Sequence, residues 1–369
     1  MLCSGRGVSP SDTRDSKMAI APALVGLARP RVLSYRWHVP HQYEIHKLPW
    51  DFTLLTDFSG KGGCWDLGQR PLRPNARLAR LSEVDLKGFD LAILHFDENC
   101  LHPERAGGVL GSRWGAAFKW FRENLDMPMI AVCHGSPPYS TSTESLKEKL
   151  DSEERRAFVD YLGDIPVVVN SRQAQNEWGF RRSRVIWHGF DPAEFPLSES
   201  GQGILSLTES ALSQLPLCRG KGLYDQVVQR LGERDRPKPL SVKEPADALR
   251  DNDYAYAKLR NFVDAVGTRE IYFNPTHRSP MPRSRGEAMM CGLVSVSANN
   301  HDVDCFIENG WNGYFSDDPD EIADILKQLL HDHKLCRQMG KRSRETACEK
   351  FGISRYLSEW AEMAEQRGQ

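Results

Sequence analysis

Short apolar runs that alternate with amphipathic stretches dictate what this 369-residue chain can become. Arg31–Arg36, Asp51–Asp57, Asp90–Phe96, Pro128–His134, Pro166–Ser171 and Arg184–Gly189 each read as a buried strand. Between them lie helical stretches such as Trp114–Asn124 and Glu144–Leu162. The second opens on the capping-box spacing Thr141-x-x-Glu144 and carries Leu146/Leu150 and Phe158/Leu162 at i,i+4. Strand–helix alternation of this kind builds parallel βαβ units and a doubly wound α/β sheet.

A Pro/Gly/Ser-rich stretch, "GFDPAEFPLSESGQG" (residues 189–203), then reads as a linker. After it the alternation resumes with strand candidates at 203–208, 240–244, 269–275, 293–298 and 312–316. Asp318-Pro319 predicts a capped helix, with Ile322, Ile325, Leu326, Leu329 and Leu330 forming one apolar stripe. The expected organisation is a leader over 1–29 without stable structure, an α/β domain over 30–195 and a second over 196–350. A final helix over 351–369 is expected to pack back on the first domain. Two such halves imply a cleft at the carboxyl ends of the strands.

The leader is polar and Ser/Gly-rich, and its "MAIAPALVGLA" stretch only faintly resembles a secretory signal, because the first core strand follows at once. Net charge is −2, which argues against a nucleic-acid-binding role. Nine cysteines are scattered without a C-x-x-C pair, so neither a disulfide framework nor a zinc site is expected, and a cytoplasmic setting is the simpler one.

Two basic helix starts stand out in the second half. "RGKG" places Arg219 and Lys221 at a glycine-flanked turn before a helix, where unpaired amides and the dipole favour an anion. "HRSPMPRSRGEAMMCGLVSVS" reads as a stiff basic loop followed by a short helix from Glu287 to Cys291. Arg283, Ser284 and Arg285 then sit just before Glu287, which falls in the first turn. Converging basic helix starts with one carboxylate nearby suit a diphosphate attached to a hydroxylated group. In the first half, polar groups gather after strands: His38, His41, Tyr43 and Glu44 after the first, His95, Asp97 and Glu98 after the third, and His134 after the fourth. Their spacing suggests no zinc cage.

Three segments together resemble the GT-B glycosyltransferases, and within them the group 1 (family 4) nucleotide-sugar enzymes. "VVVNSRQAQNEWGFRRSRVIWHGFDPAEF" is similar to the family's crossover segment through Asn170, Ser171, Val185, Ile186, Gly189, Asp191 and Phe195. "RGKG" is similar to its Lys-Gly turn, and "GEAMMCGLVSVS" to its Glu-Ala-Met segment. The resemblance implies two Rossmann-like domains facing a central cleft and transfer of a sugar from a nucleotide-diphosphate donor to a saccharide, lipid-linked or small-molecule acceptor, with retained configuration. A lipid-linked acceptor would bring the chain to the inner face of the membrane.

Arg219 and Lys221 are then expected on the diphosphate, and His134 on the transferred sugar. Glu287 is expected on the ribose, with Asn274, Ser279, Arg283, Ser284, Arg285, Gly286 and Ala288 around the donor. His41, Asp97 and Glu98 are expected on the acceptor side, with no cofactor and no metal. Ser279 stands where the family carries its first glutamate, and "RWHVPHQYEIHKLP" where it carries a glycine-rich loop. A sugar-nucleotide binder without catalysis, or an epimerase or phosphorylase on the same fold, are the alternatives.

Overall fold

A computed structural model describes residues 29–58, 65–97, 100, 111–137, 153–198, 200–214, 218–246, 250–278 and 281–365. The capping-box spacing at Thr141, together with Glu98, Ser279 and the leader up to residue 28, lies outside these residues.

The first sheet has seven parallel strands in the order β3-β2-β1-β4-β5-β6-β7. They are β1 (Arg31–Tyr35), β2 (Asp51–Leu55), β3 (Ala76–Ala79), β4 (Leu91–Phe96), β5 (Met129–Cys133), β6 (Val167–Val169) and β7 (Ser183–Val185). β1 and β4 are buried along nearly their whole length, as parallel strands covered on both faces must be. β3 has no counterpart among the sequence expectations: four residues, with an exposed arginine among them, give too weak a pattern. One face of the sheet is covered by α2 (Gly111–Asn124), α3 (Glu153–Leu162) and α4 (Arg172–Trp178), through Phe118, Phe121, Phe158 and Trp178. A short α1 (Val39–Ile45) follows β1.

The second sheet is also parallel, in the order β12-β11-β10-β8-β9. Its strands are β8 (Ile204–Ser206), β9 (Lys238–Pro239), β10 (Ile271–Asn274), β11 (Val294–Ser297) and β12 (Gly313–Phe315). β9 is a two-residue edge strand just before the expected strand at 240–244. Its helices are α5 (Glu209–Gln214), α6 (Lys221–Arg230), α7 (Asn252–Gly267), α8 (Arg283–Met290), α9 (Pro319–His331) and α10 (His333–Phe351). α9 starts where Asp318 accepts from the amides of Asp320 and Glu321 at 2.8 and 3.5 Å, with Pro319 at the first position.

The chain crosses between the sheets twice. Residues 186–203 carry it forward, and α11 (Ile353–Glu365) carries it back. α11 buries Ile353, Tyr356, Trp360 and Met363 against Val32 and Val132 of the first sheet and against Ile45 of α1 and Trp50 just before β2. The crossings touch: Phe190 N donates to Phe351 O at 2.8 Å, and Arg355 donates to the carbonyls of Trp187 and His188 at 2.9 and 3.0 Å. Gly189 allows this contact, because a Cβ there would lie 2.4 Å from the Tyr356 ring.

Apolar packing also joins the two halves. Val39, Tyr43 and Trp65 share one cluster with Phe190, Met289 and Met290. The amino end of α4 is held from across the cleft, where Asp302 accepts from Arg172 N at 2.7 Å and Gln173 N at 3.2 Å. Arg278 grips Glu177 of the same helix with two bonds, at 3.0 and 2.9 Å.

Candidate active site

Each sheet reverses its strand order at one point, between β1 and β4 in the first and between β8 and β10 in the second. Loops diverge at such points and leave a crevice at the carboxyl ends of the strands. Both crevices open on one cavity of about 570 Å³, lined by His38 after β1, Leu207 after β8 and Thr276 after β10. Arg70, Arg219, Lys258, Arg283, Ser284 and Glu287 complete its polar wall.

α8 begins earlier than the sequence suggests. Pro282 is its N-cap, so Arg283, Ser284 and Arg285 form the first turn and Glu287 stands in the second. A carboxylate there gains little from the helix dipole, and its position is fixed by side chains instead. Glu287 Oε1 accepts from Arg70 Nη2 at 2.8 Å and from Arg283 Nη2 at 3.1 Å. Arg283 is also 3.4 Å from Glu44 and stacks its guanidinium 4.6 Å over the Phe190 ring. Glu44 meets Lys47 at 2.8 Å, and Lys47 meets Glu194 at 2.7 Å. The charges therefore alternate through Arg70, Glu287, Arg283, Glu44, Lys47 and Glu194, crossing from the first domain to the second and back. Burial pushes the Glu44 carboxyl upward while Lys47 and Arg283 pull it back.

The remaining residues of the two basic segments divide. Ser284 lines the cavity, and its hydroxyl pairs with Tyr272 OH at 2.6 Å. Arg285 is fully buried and donates to Asn300 Oδ1 at 2.7 Å and His301 O at 3.2 Å, with burial pulling its pKa down to about 10. Its charge is spent inside the domain rather than on the cavity. Gly286 and Ala288 also face protein: a Cβ on Gly286 would come within 2.3 Å of Phe190, and Ala288 belongs to the apolar cluster. Asn274 is buried at the end of β10, its Oδ1 accepting from Thr276 N at 3.3 Å.

Arg219 lines the cavity and donates to Ala211 O at 2.6 Å. Lys221 does not line it. As the first residue of α6 it forms an ion pair with Asp225 at 2.8 Å, which raises its pKa. The turn before it needs Gly220: φ is +67°, and a Cβ would fall 1.7 Å from Pro275 O.

Behind His38 the structure gathers the imidazoles of His41, His95, His134 and His188. Ligand atoms of His41, His95 and His134 lie within 4.8 Å of one another, a convergence that their sequence spacing does not announce. His95 Nδ1 is 3.0 Å from His134 Nε2, and His41 Nε2 is 3.3 Å from Tyr356 OH. A transition metal would have to displace the proton between His95 and His134. It would then turn the other ring nitrogen of His95 into an N–H facing the Gln42 amide nitrogen 3.2 Å away. Burial lowers the pKa of the inner imidazoles, that of His95 to about 3, so they are neutral. Asp97 follows β4 and pairs with Cys100, whose Sγ lies 3.8 Å from Asp97 Oδ1.

Arg70, Lys258 and Phe262 escaped the sequence reading. Arg70 comes from an irregular segment and packs 5.1 Å over the Phe262 ring. Its partner Glu287 is 217 residues away, beyond any local pattern.

Residues 256–346 match the model of the family "Glycosyl transferases group 1". Over 92% of the chain the fold is similar to sucrose-phosphate synthase from Thermosynechococcus elongatus, at TM-score 0.61 and 12% identity over 99% of that protein. The similarity to Anabaena HepE in complex with UDP and glucose also covers 92% of this chain and 100% of that one, at TM-score 0.57 and 13% identity. The fold is that of the GT-B glycosyltransferases. On this GT-B frame the matched segment, 256–346, holds α8 and Glu287. A shorter similarity, 34% identity over 76 residues, links the chain to N-acetyl-alpha-D-glucosaminyl L-malate synthase of Bacillus anthracis and spans 20% of either protein. Among the described residues, no helix is long and apolar enough to cross a membrane.

Proposed function

We propose that this chain transfers a sugar from a nucleotide-diphosphate donor to an acceptor hydroxyl, with retained configuration. One observation carries the reading: both strand-order reversals open on a single cavity walled by Arg70, Arg219, Arg283 and Glu287. The difficult step in such a transfer is departure of the nucleotide diphosphate from the anomeric carbon. Positive groups fixed in advance stabilise the charge that develops there. Arg219 and Arg283 fill that role, and three guanidinium groups remove the need for a metal. Glu287 accepts from the donor ribose by exchanging Arg70 for the diol, which frees Arg70 for the phosphates. His134 donates to a hydroxyl of the transferred sugar. The apolar seam between the domains keeps water from competing with the acceptor.

Names of similar proteins help to choose probes. HepE has been seen with UDP and glucose, and the name of the Bacillus anthracis relative joins a glucosaminyl group to malate. UDP-sugars and small hydroxy acids therefore head the panel, followed by saccharide and lipid-linked acceptors. A thermal-shift series with nucleotide-sugars is the test, since a ligand at 100 times its Kd adds about 2.7 kcal/mol. Stabilisation by at least one nucleotide-sugar, unchanged by EDTA, followed by transfer to an acceptor, is expected. A protein that ignores every nucleotide-sugar but responds to sugar phosphates would end the donor assignment.

A further inference from the structure

The tautomer of His134 can be read from its neighbours. Trp37 N donates to Gln42 Oε1 at 2.7 Å, which fixes the orientation of the Gln42 amide, because a backbone N–H can only donate. The other end of that amide, Nε2, donates one hydrogen to Tyr35 O at 2.8 Å. Its second hydrogen points at His95 Nε2, 3.2 Å away. That ring nitrogen must therefore present a lone pair, and a neutral His95 carries its proton on Nδ1. Nδ1 in turn donates to His134 Nε2 at 3.0 Å. The remaining proton of His134 is left on its Nδ1, which makes no hydrogen bond among the described residues.

We infer that Gln42 and His95 are positioning residues that hold His134 as the Nδ1–H tautomer, so that it acts as a hydrogen-bond donor and not as a base. Both are almost completely buried, at 1% exposure each, whereas His134 is half-buried and stacks on His38 at the cavity wall. With Nε2 engaged by His95 and Nδ1 already protonated, His134 has no lone pair to offer an acceptor hydroxyl. It has one N–H, suited to an oxygen of the transferred sugar. Buried partners that fix an imidazole's tautomer act through the histidine they orient. The catalytic consequence rests on the transfer reading given above; the tautomer does not.

Full-length protein labelled with 15N at histidine tests this directly. Long-range 1H–15N spectra, assigned by loss of one spin system in His134→Asn, should show His134 with a protonated Nδ1 and a bare Nε2. A proton on Nε2 in the unsubstituted protein would overturn the inference.

Two substitutions at position 95 separate positioning from packing. In His95→Asn the amide nitrogen stands where the ring Nδ1 stood and still donates to His134, whereas His95→Leu fills similar space without a donor. The expected result is that His95→Asn keeps the tautomer and stays within about threefold in kcat, while His95→Leu loses it and falls on the order of 10²-fold with donor KM nearly unchanged. Equal behaviour of the two folded variants would also overturn it. Should no donor support turnover, the transfer reading fails while the spectra still decide the tautomer.

Discussion

His41, His95, His134 and His188 crowd behind one wall of the cleft, and Arg70, Arg283, Glu44 and Glu287 crowd the seam between the domains. Both groups are polar and largely buried, yet they meet the cost of burial in opposite ways. Imidazole titrates near neutrality, so burial removes its charge at modest expense, and the rings then order themselves by N–H to lone-pair contacts. Guanidinium cannot shed its charge in a protein, so Arg70 and Arg283 each bring a carboxylate with them. One wall is a set of neutral, directional donors suited to hydroxyls. The other is a reservoir of fixed charge suited to phosphate.

Removing a charge should hurt the second wall most. Arg283→Ala leaves Glu44 and Glu287 short of a partner, and a loss of roughly 3–5 kcal/mol is expected in chemical denaturation. Arg283→Lys should recover only part of it, since an ammonium cannot bridge both carboxylates over the Phe190 ring. A cost below about 1 kcal/mol for the alanine variant would mean that the seam is not a charge reservoir at all.

Acid should find the first wall instead. The pKa of His95 is lowered to about 3 in the folded state, against about 6.5 unfolded, so the unfolded chain binds the extra proton. Its contribution is complete above pH 6.5 and declines as pH falls toward 3, by about 1.4 kcal/mol for each unit. Denaturation measured from pH 7 to 4 should show this slope, and His95→Asn should flatten it by one proton. An unchanged slope in that variant would place the proton uptake elsewhere.

Arg219→Ala should weaken nucleotide-diphosphate binding by about 1.5–3 kcal/mol, the range for a hydrogen bond to a charged group. Binding calorimetry with the free nucleotide decides it. Lys221→Ala should matter least. The sequence ranks Lys221 with Arg219, but the structure turns it to Asp225 at the surface, and an exposed pair of that kind contributes little. A larger loss of donor affinity in Lys221→Ala than in Arg219→Ala would reverse that order and return Lys221 to the phosphates.

Most of the fold was legible because parallel strands buried on both faces write themselves as unbroken apolar runs; "LAILHF" and "VVV" are of this kind. β3 and β9 lie at sheet edges, are short, and carry no such run. In "SPMPRSRGEAMM" two prolines suggested a loop up to Gly286, whereas Pro282 caps the helix and the arginines enter its first turn. That shift of four residues separates Arg283, which reaches the cavity, from Arg285, which is turned into the domain. Arg70 was invisible because its partner is set by the meeting of two domains. The imidazole cluster was half visible: His134 follows β5, His188 follows β7 and His95 lies near the end of β4, so the topology alone brings them to one edge.

The return of α11 to the first sheet makes that domain discontinuous along the chain, while the second is one uninterrupted insert between residues 204 and 351. A break in the linker near residue 196 would therefore strand Tyr356 and Trp360 on the wrong fragment and leave a hydrophobic scar beside Trp50. Dissection requires two cuts, or one new join beside the 2.8 Å contact between Phe190 N and Phe351 O. The same double tether joins the halves at two adjacent chain segments, and the Arg70–Glu287 and Arg283–Glu44 pairs hold them together a third time beside the cavity.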